Sequence, residues 1–300
     1  MRLRSHRGAQ LLLSGVSLAL LLPASHLQAQ EEEEYDPYAV YSDDELYGED
    51  YDDSSLAAAA QNPLADLVNL PFQNNTSFGI GPFDRTANLI NIQPVIPVGL
   101  SRSLNLVNRA IIPIVSAPDV AQPEGTTWGL GDLTYTPFFS SANPGALIWG
   151  AGPALVFPTG TSDATGSGKW SAGPAIVLLG MPGRMVIGAV AWNTWSYAGS
   201  SDRDDVNSLL IQYFVNYNFE GGWFVTSAPI ITSDWTQPAY AGWVVPFGVG
   251  FGRVFPIGRQ PLNLNIHYYY NVVTPETEDG TRLGAGWSLR FTFQLLFPKG

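Results

Sequence analysis

The chain has 300 residues with no cysteine, 12% aromatic and 13% charged residues, 31 glycines and a formal net charge of −12. The missing cysteines exclude disulfide frameworks, thiolate metal sites and cysteine nucleophiles. A mean hydropathy of +0.05 with no second long apolar run argues against a bundle of membrane-spanning helices. So few charges are also too few for a surface that faces water throughout.

At the N-terminus Arg2, Arg4 and Arg7 precede an apolar stretch over residues 11–22, followed by small residues, which is the pattern of a secretory signal peptide. The apolar run is shorter than the roughly 20 residues of a spanning helix, so a retained anchor is the weaker reading. Cleavage after Ala29 would leave Gln30 first. The net charge then resolves into a tail. Glu31, Glu32, Glu33, Glu34, Asp36, Asp43, Asp44, Glu45, Glu49, Asp50, Asp52 and Asp53 are 12 of the 26 acidic residues, leaving 14 acidic against 11 basic residues over 54–300. Residues 30–55 hold almost no aliphatic side chains and cannot offset their ordering entropy, so they read as a disordered acidic tail. A calcium- or partner-binding role for that tail is the alternative. Residues 56–69 look helical, with Ser55 as a cap, and the segment 56–71 reads as a short periplasmic helix or plug.

From residue 72 to 297 the chain alternates as strands do. In the last segment Trp287, Leu289, Phe291, Phe293, Leu295 and Phe297 share one face, and Ser288, Arg290, Thr292 and Gln294 the other. Leu262, Leu264, Ile266, Tyr268, Tyr270 and Val272 likewise oppose Asn263, Asn265, His267, Tyr269 and Asn271. Residues 209–219 repeat the pattern around Gln212, Asn216 and Asn218. A soluble β-sandwich would carry charges on its polar face, whereas these faces carry mostly amides and hydroxyls. An apolar outer band around a polar interior fits better. Short turns near residues 99–102, 141–145, 181–183, 220–222 and 257–259 alternate with longer polar loops at 116–125, 159–168, 199–205, 233–242 and 274–283. Only the first hairpin, turning at 81–84, departs from that rule. The expected fold is therefore all-β: a transmembrane antiparallel up-and-down β-barrel of about 12 strands, between 10 and 14.

Pro94, Pro113, Pro137, Pro153, Pro174, Pro229 and Pro246 fall inside these segments and imply local bulges or kinks, because proline donates nothing to a ladder. The repeated Ala-Gly-Pro-Ala at 151–154 and 172–175 would lie side by side in a symmetric hairpin. Trp149, Trp170, Trp192, Trp195, Trp223 and Trp243 gather near strand ends and read as membrane-interface anchors.

Several motifs go further: Gln61-Asn62-Pro63-Leu64, Leu70-Pro71-Phe72-Gln73-Asn74-Asn75, Asn91-Ile92-Gln93-Pro94-Val95-Ile96-Pro97, Gly129-Leu130-Gly131-Asp132, Gly168-Lys169-Trp170-Ser171-Ala172-Gly173-Pro174 and the ending Leu296-Phe297-Pro298-Lys299. Through them residues 61–299 resemble a bacterial outer-membrane family labelled as transporters or phenol-degradation meta-pathway proteins. The resemblance implies a barrel and uptake of small, aromatic compounds. It brings no catalytic residues.

Sequence signals for other chemistry are weak. Gly168-Lys169 lacks a phosphate loop's remaining residues, since Asp163 and Trp170 stand where Gly and Ser or Thr are needed. The glycines at 248, 250 and 252 lie within a strand. His267 is the one histidine beyond the signal, and it is expected to face inward opposite Arg290, where a lipid-hydrolysing Ser-His site would have no access to its substrate. One histidine without cysteine gives no zinc set, and scattered basic residues give no nucleic-acid stripe. No catalytic residue, metal or cofactor is expected. The candidate lumen-lining residues are Asn91, Gln93, Arg109, Asp132, Gln212, Asn216, Asn265, His267, Tyr269 and Arg290, with Arg109 and Asp132 expected to form a salt bridge across a hairpin centred on residues 120 and 121. Tyr269 is expected to stack against solute.

These features imply a passive outer-membrane channel or transporter. The alternatives are a structural or adhesive barrel and an outer-membrane hydrolase. The implied partners are outer-membrane lipid, the barrel-assembly machinery and a small-molecule solute, with no nucleic acid. Amino-terminal sequencing of the outer-membrane fraction is expected to read from Gln30; a soluble periplasmic protein would contradict the barrel.

Overall fold

The structure, a computed structural model, describes residues 53–298. The signal segment, the cleavage position and nearly all of the acidic tail lie outside the described residues. No helix among the described residues is long and apolar enough to cross a membrane.

Helix α1 (Asp53–Gln61) comes first, and it corrects the expected helix of 56–69 at both ends. The helix starts before Ser55 and stops at Gln61, because Asn62 precedes Pro63 and a residue preceding proline is pushed out of the helical region. There the Asn62 side-chain oxygen accepts from the Leu64 amide at 2.9 Å, closing a local turn. Strand β1 (Leu67–Ile80) then begins earlier than the expected residue 72.

The remaining strands follow in chain order: β2 (Arg85–Ile92), β3 (Val95–Gly99), β4 (Leu104–Pro118), β5 (Thr126–Leu130), β6 (Leu133–Ser141), β7 (Ile148–Phe157), β8 (Lys169–Gly180), β9 (Met185–Gly199), β10 (Asn207–Asn218), β11 (Trp223–Ser227), β12 (Ile230–Asp234), β13 (Trp243–Ile257), β14 (Gln260–Val273) and β15 (Trp287–Pro298). A short helix α2 (Ala239–Gly242) sits before β13. The pairs β2 and β3, β5 and β6, and β11 and β12 are halves of three broken strands, so 15 segments make a closed antiparallel barrel of 12 strands. The seam closes along β1 and β15, from Leu67 opposite Pro298 to Phe78 opposite Trp287.

The prolines explain two of the breaks. Pro94 follows β2 and Pro229 follows Ala228 between β11 and β12, while a register shift falls between Val245 and Pro246. The two Ala-Gly-Pro-Ala copies do lie side by side, with Pro153 opposite Pro174 and Ala154 opposite Gly173.

Outward side chains form the expected apolar band. Tyr268, Tyr270, Val272 and Phe291 are 50%, 51%, 59% and 49% exposed, whereas Arg290, Thr292 and Gln294 between them are buried. Trp149, Trp170, Trp195 and Trp223 are exposed on this outer wall. Trp192 is not an anchor: its ring lies inside, under the Arg109 guanidinium at 5.9 Å. Trp243 packs edge-on against Trp235.

The interior is divided. On β7, β8 and β9 the inward face is aliphatic, with Ile148, Ala154, Ala175, Val177, Leu179, Val186 and Val190 in one cluster that also takes in Ala58 and Leu64. A second cluster seats Leu56 and Ala57 of α1 against Leu67, Phe224, Val254 and Leu296. The helix and the turn after it therefore fill the barrel at the short-turn end, which in barrels of this type is periplasmic.

Gly173 leaves no room for a side chain, because a Cβ there would come within 1.7 Å of the Asn193 carbonyl oxygen. Gly145, in a turn, has nothing within 4 Å. Gly173→Val is therefore expected to abolish the compact, heat-modifiable band of the folded barrel on electrophoresis. Gly145→Ala is expected to retain it.

Candidate functional site: a polar lumen beyond the inner plug

Beyond α1 the lumen opens into a cavity of about 200 Å³. One wall is built by β14, β15 and β1, whose inward positions carry amides, a histidine and an arginine. The cross-strand register sets His267 opposite Arg290, and Arg290 opposite Asn75. The Arg290 guanidinium donates from Nε to Asn75 Oδ1 at 2.8 Å and from Nη1 to the Ala228 carbonyl at 2.7 Å. That carbonyl is available because Pro229 breaks the strand there. In an unbroken ladder it would point along the sheet to a neighbouring strand. The Gln212 side chain also donates to it, at 3.4 Å.

The second cation arises at another break. Gln93 lies with Pro94 in the break between β2 and β3, its backbone amide donates to the Pro71 carbonyl, and its side-chain oxygen accepts from Arg109 Nη2 at 2.9 Å. Arg109 is thus held between Gln93 and the face of Trp192, a cation–π arrangement.

Seven of the ten sequence candidates line this cavity: Gln93, Arg109, Gln212, Asn216, Asn265, His267 and Arg290. Asn91 is half-buried opposite Gln73 and lies off the cavity wall. Tyr269, 2% exposed, stacks on the His267 ring with centroids 5.5 Å apart and carries the Arg290 guanidinium at 4.8 Å. Its ring packs on these neighbours rather than lining the cavity, so it braces the cation where stacking on solute was expected.

Asp132 is the clearest correction. It does not meet Arg109, whose cross-strand neighbour is Thr136. The hairpin turns about residue 122, with Pro118 opposite Thr126, so a centre at residues 120 and 121 misplaces the partners by three or four positions, and Asp132 itself sits in the break between β5 and β6. There its carboxylate accepts from the Gly160 amide at 3.0 Å, the Ser167 amide at 2.7 Å and the Ser167 hydroxyl at 2.6 Å. It pins the outer loop of residues 158–168. Arg203 ties down the same loop through the carbonyls of Asp163, Gly166 and Ser167 and an ion pair with Asp163. Beside them Lys169 pairs with Asp205 at 3.1 Å. The lysine's hydrogen bond and charge hold the Asp205 carboxyl below the ordinary value of 3.8, so this contact is fully present above that pH and lost only on further acidification.

Sequence reasoning missed four kinds of contributor: the Ala228 carbonyl, Asn75 as the arginine's partner, Thr226 beside His267, and the plug residues Gln61 and Asn62. The prolines were the available signal for Ala228. His267 Nε2 lies 3.4 Å from Thr226 Oγ1, and its neighbours are Thr226, Tyr269 and Arg290. Among the described residues no group of three or more histidine, aspartate or glutamate side chains is placed to hold a metal ion.

A closed 12-strand barrel with an apolar belt, a polar lumen and both strand ends at the short-turn side is the architecture of a bacterial outer-membrane β-barrel. Comparison with solved structures agrees. The chain is similar to an outer membrane channel from Pseudomonas putida F1, with a TM-score of 0.59 and 16% identity over 83% of this chain and 99% of that one. The NanC porin aligns with a TM-score of 0.48 and 12% identity over 76% and 98%, and a Pseudomonas aeruginosa FadL homologue with 0.42 and 10% over 80% and 93%. At these identities the likeness concerns the fold. No protein-family model and no curated protein sequence matches the chain.

Asp132→Ala removes an acceptor of three hydrogen bonds. Exchange of the Gly160 and Ser167 amides is expected to accelerate by about tenfold or more, charge-assisted bonds being among the stronger ones. Unchanged protection would mean that Arg203 alone holds the loop.

Proposed function

We propose that the protein is an outer-membrane channel for passive passage of small solutes, with the α1 segment as its inner constriction. The observation that carries this reading is the polar cavity inside a closed barrel. The similarity to an outer membrane channel supports it as a likeness of fold. A 12-strand barrel lies between the small barrels whose side chains fill the interior and the wide porins. Its lumen suits selective, weak contact with solute, which conduction requires. The lining mixes amides and arginines with Phe214 and Phe224, in keeping with the small aromatic compounds that the sequence resemblance implies.

The plug governs how open that path is. Leu64 packs so closely against Gly150 that a Cβ on the glycine would come within 2.9 Å of its methyl groups, and Gln61 donates to Asn218 at 2.8 Å. In planar bilayers or liposome-swelling assays, the full-length protein is expected to pass small aromatic acids, phenols or sugars. Deleting residues 53–64 is expected to raise conductance several-fold. A folded protein that passes no solute, with or without the plug, would favour a structural barrel instead.

A further inference from the structure

Arginine inside a membrane barrel is costly unless its charge is answered, and buried charges are ordinarily paired. Arg109 and Arg290 both line the cavity, and the lining contains no carboxylate. The partners that orient them are neutral. Asn75 Oδ1 and the Ala228 carbonyl fix Arg290, and Gln93 Oε1 fixes Arg109. Such acceptors set the direction of a guanidinium without cancelling its charge. They also leave donors over. A guanidinium has five N–H donors, more than the bonds to Asn75, Ala228 and Tyr269 use on Arg290 or the bond to Gln93 uses on Arg109, and its planar fork matches a carboxylate.

A second observation lies beside Arg290. Asn265 Oδ1 and His267 Nδ1 are buried and have no hydrogen-bond partner, although both residues line the cavity. An unmatched buried acceptor calls for a donor. An anion accepted at the arginines and a hydroxyl offered to Asn265 would satisfy both requirements with one molecule. The nearby Phe224 and Phe214 supply an apolar surface for its body.

We propose that the lumen holds a binding subsite for a small carboxylate anion that also bears a hydroxyl group, with Arg290 as the principal anion contact, Arg109 as the second and Asn265 as the acceptor. The subsite rests on the channel reading for its biological use, but not for its existence. Ring charges of one sign are how pores select ions, so the same arginines make the open lumen anion-selective.

The test is equilibrium binding to the full-length protein in detergent micelles, followed by tryptophan fluorescence or calorimetry. The probes are 4-hydroxybenzoate and its uncharged counterpart 4-hydroxybenzyl alcohol. The acid is expected to bind at least about tenfold tighter, since a charge-assisted pair exceeds a neutral contact by roughly that factor. Arg290→Gln is expected to erase the difference. Asn265→Asp, which places a carboxylate beside Arg290 as an internal competitor, is expected to do the same while the folded, heat-modifiable band is retained. Equal affinities in the wild type, binding of neither probe, or a preference that survives both substitutions would overturn the subsite. Failure of the channel reading looks different: the acid binds, yet no solute permeates reconstituted vesicles.

Discussion

Within hydrocarbon a backbone amide or carbonyl has no water to turn to, and each one left unpaired costs several kcal/mol by general estimates. Strands can meet this demand only by closing on themselves. In this protein the seam between β1 and β15 meets it with twelve consecutive register pairs. The outward Phe and Tyr residues of the wall are tolerated because the sheet has no edge; on an open sheet the same residues would drive aggregation. The short turns then place both ends of the barrel on one side, and that puts α1 at the inner mouth.

The breaks in the ladder are the other side of the same constraint. A proline-terminated half-strand releases a carbonyl or an amide that must be satisfied locally. At Ala228 the released carbonyl is taken by Arg290 and Gln212. At the Pro94 break the Gln93 side chain holds Arg109, while the Pro94 carbonyl stays in the β3–β4 register by accepting from the Ala110 amide. Acceptors that orient the two lumen arginines therefore sit at irregular points of the wall, while the arginines themselves lie on regular strands. This is the pattern expected when local departures from ideal geometry are retained near functional sites.

The lumen is asymmetric around its circumference. The aliphatic inner face of β7, β8 and β9 packs on Ala58 and Leu64 and the short-turn ends of β1, β13 and β15 pack on Leu56 and Ala57, while beyond the plug the amide-rich face of β14, β15 and β1 forms one wall of the cavity. The outer loops are pinned separately by Asp132 and Arg203, so the outer mouth is held by polar bonds and the inner mouth by apolar burial. These two ends should respond differently to salt and to temperature, because screening weakens the first kind of contact and leaves the second largely intact.

Alternation with period two, the rhythm of short and long connections and the aromatic last strand were enough to read a barrel of 12 strands, the inward positions of Arg290, His267 and Gln212, and the pairing of the two Ala-Gly-Pro-Ala copies. These are local properties, and each follows from how successive side chains leave a strand. Tertiary structure alone decided the rest. Which of two apolar faces on β8 turns inward cannot be read from alternation, because both Val177 and Ile176 are aliphatic and only the plug distinguishes them. Trp192 looked like an anchor by type, but register places it under Arg109. Asp132 was assigned to Arg109 by centring the hairpin on residues 120 and 121, but the turn centres on residue 122 and Asp132 falls in the break between β5 and β6, where its carboxylate meets the 158–168 loop. Register is a sum over every residue between two positions, so a single irregularity alters each partner beyond it. Only closure of the whole barrel fixes where the irregularities fall.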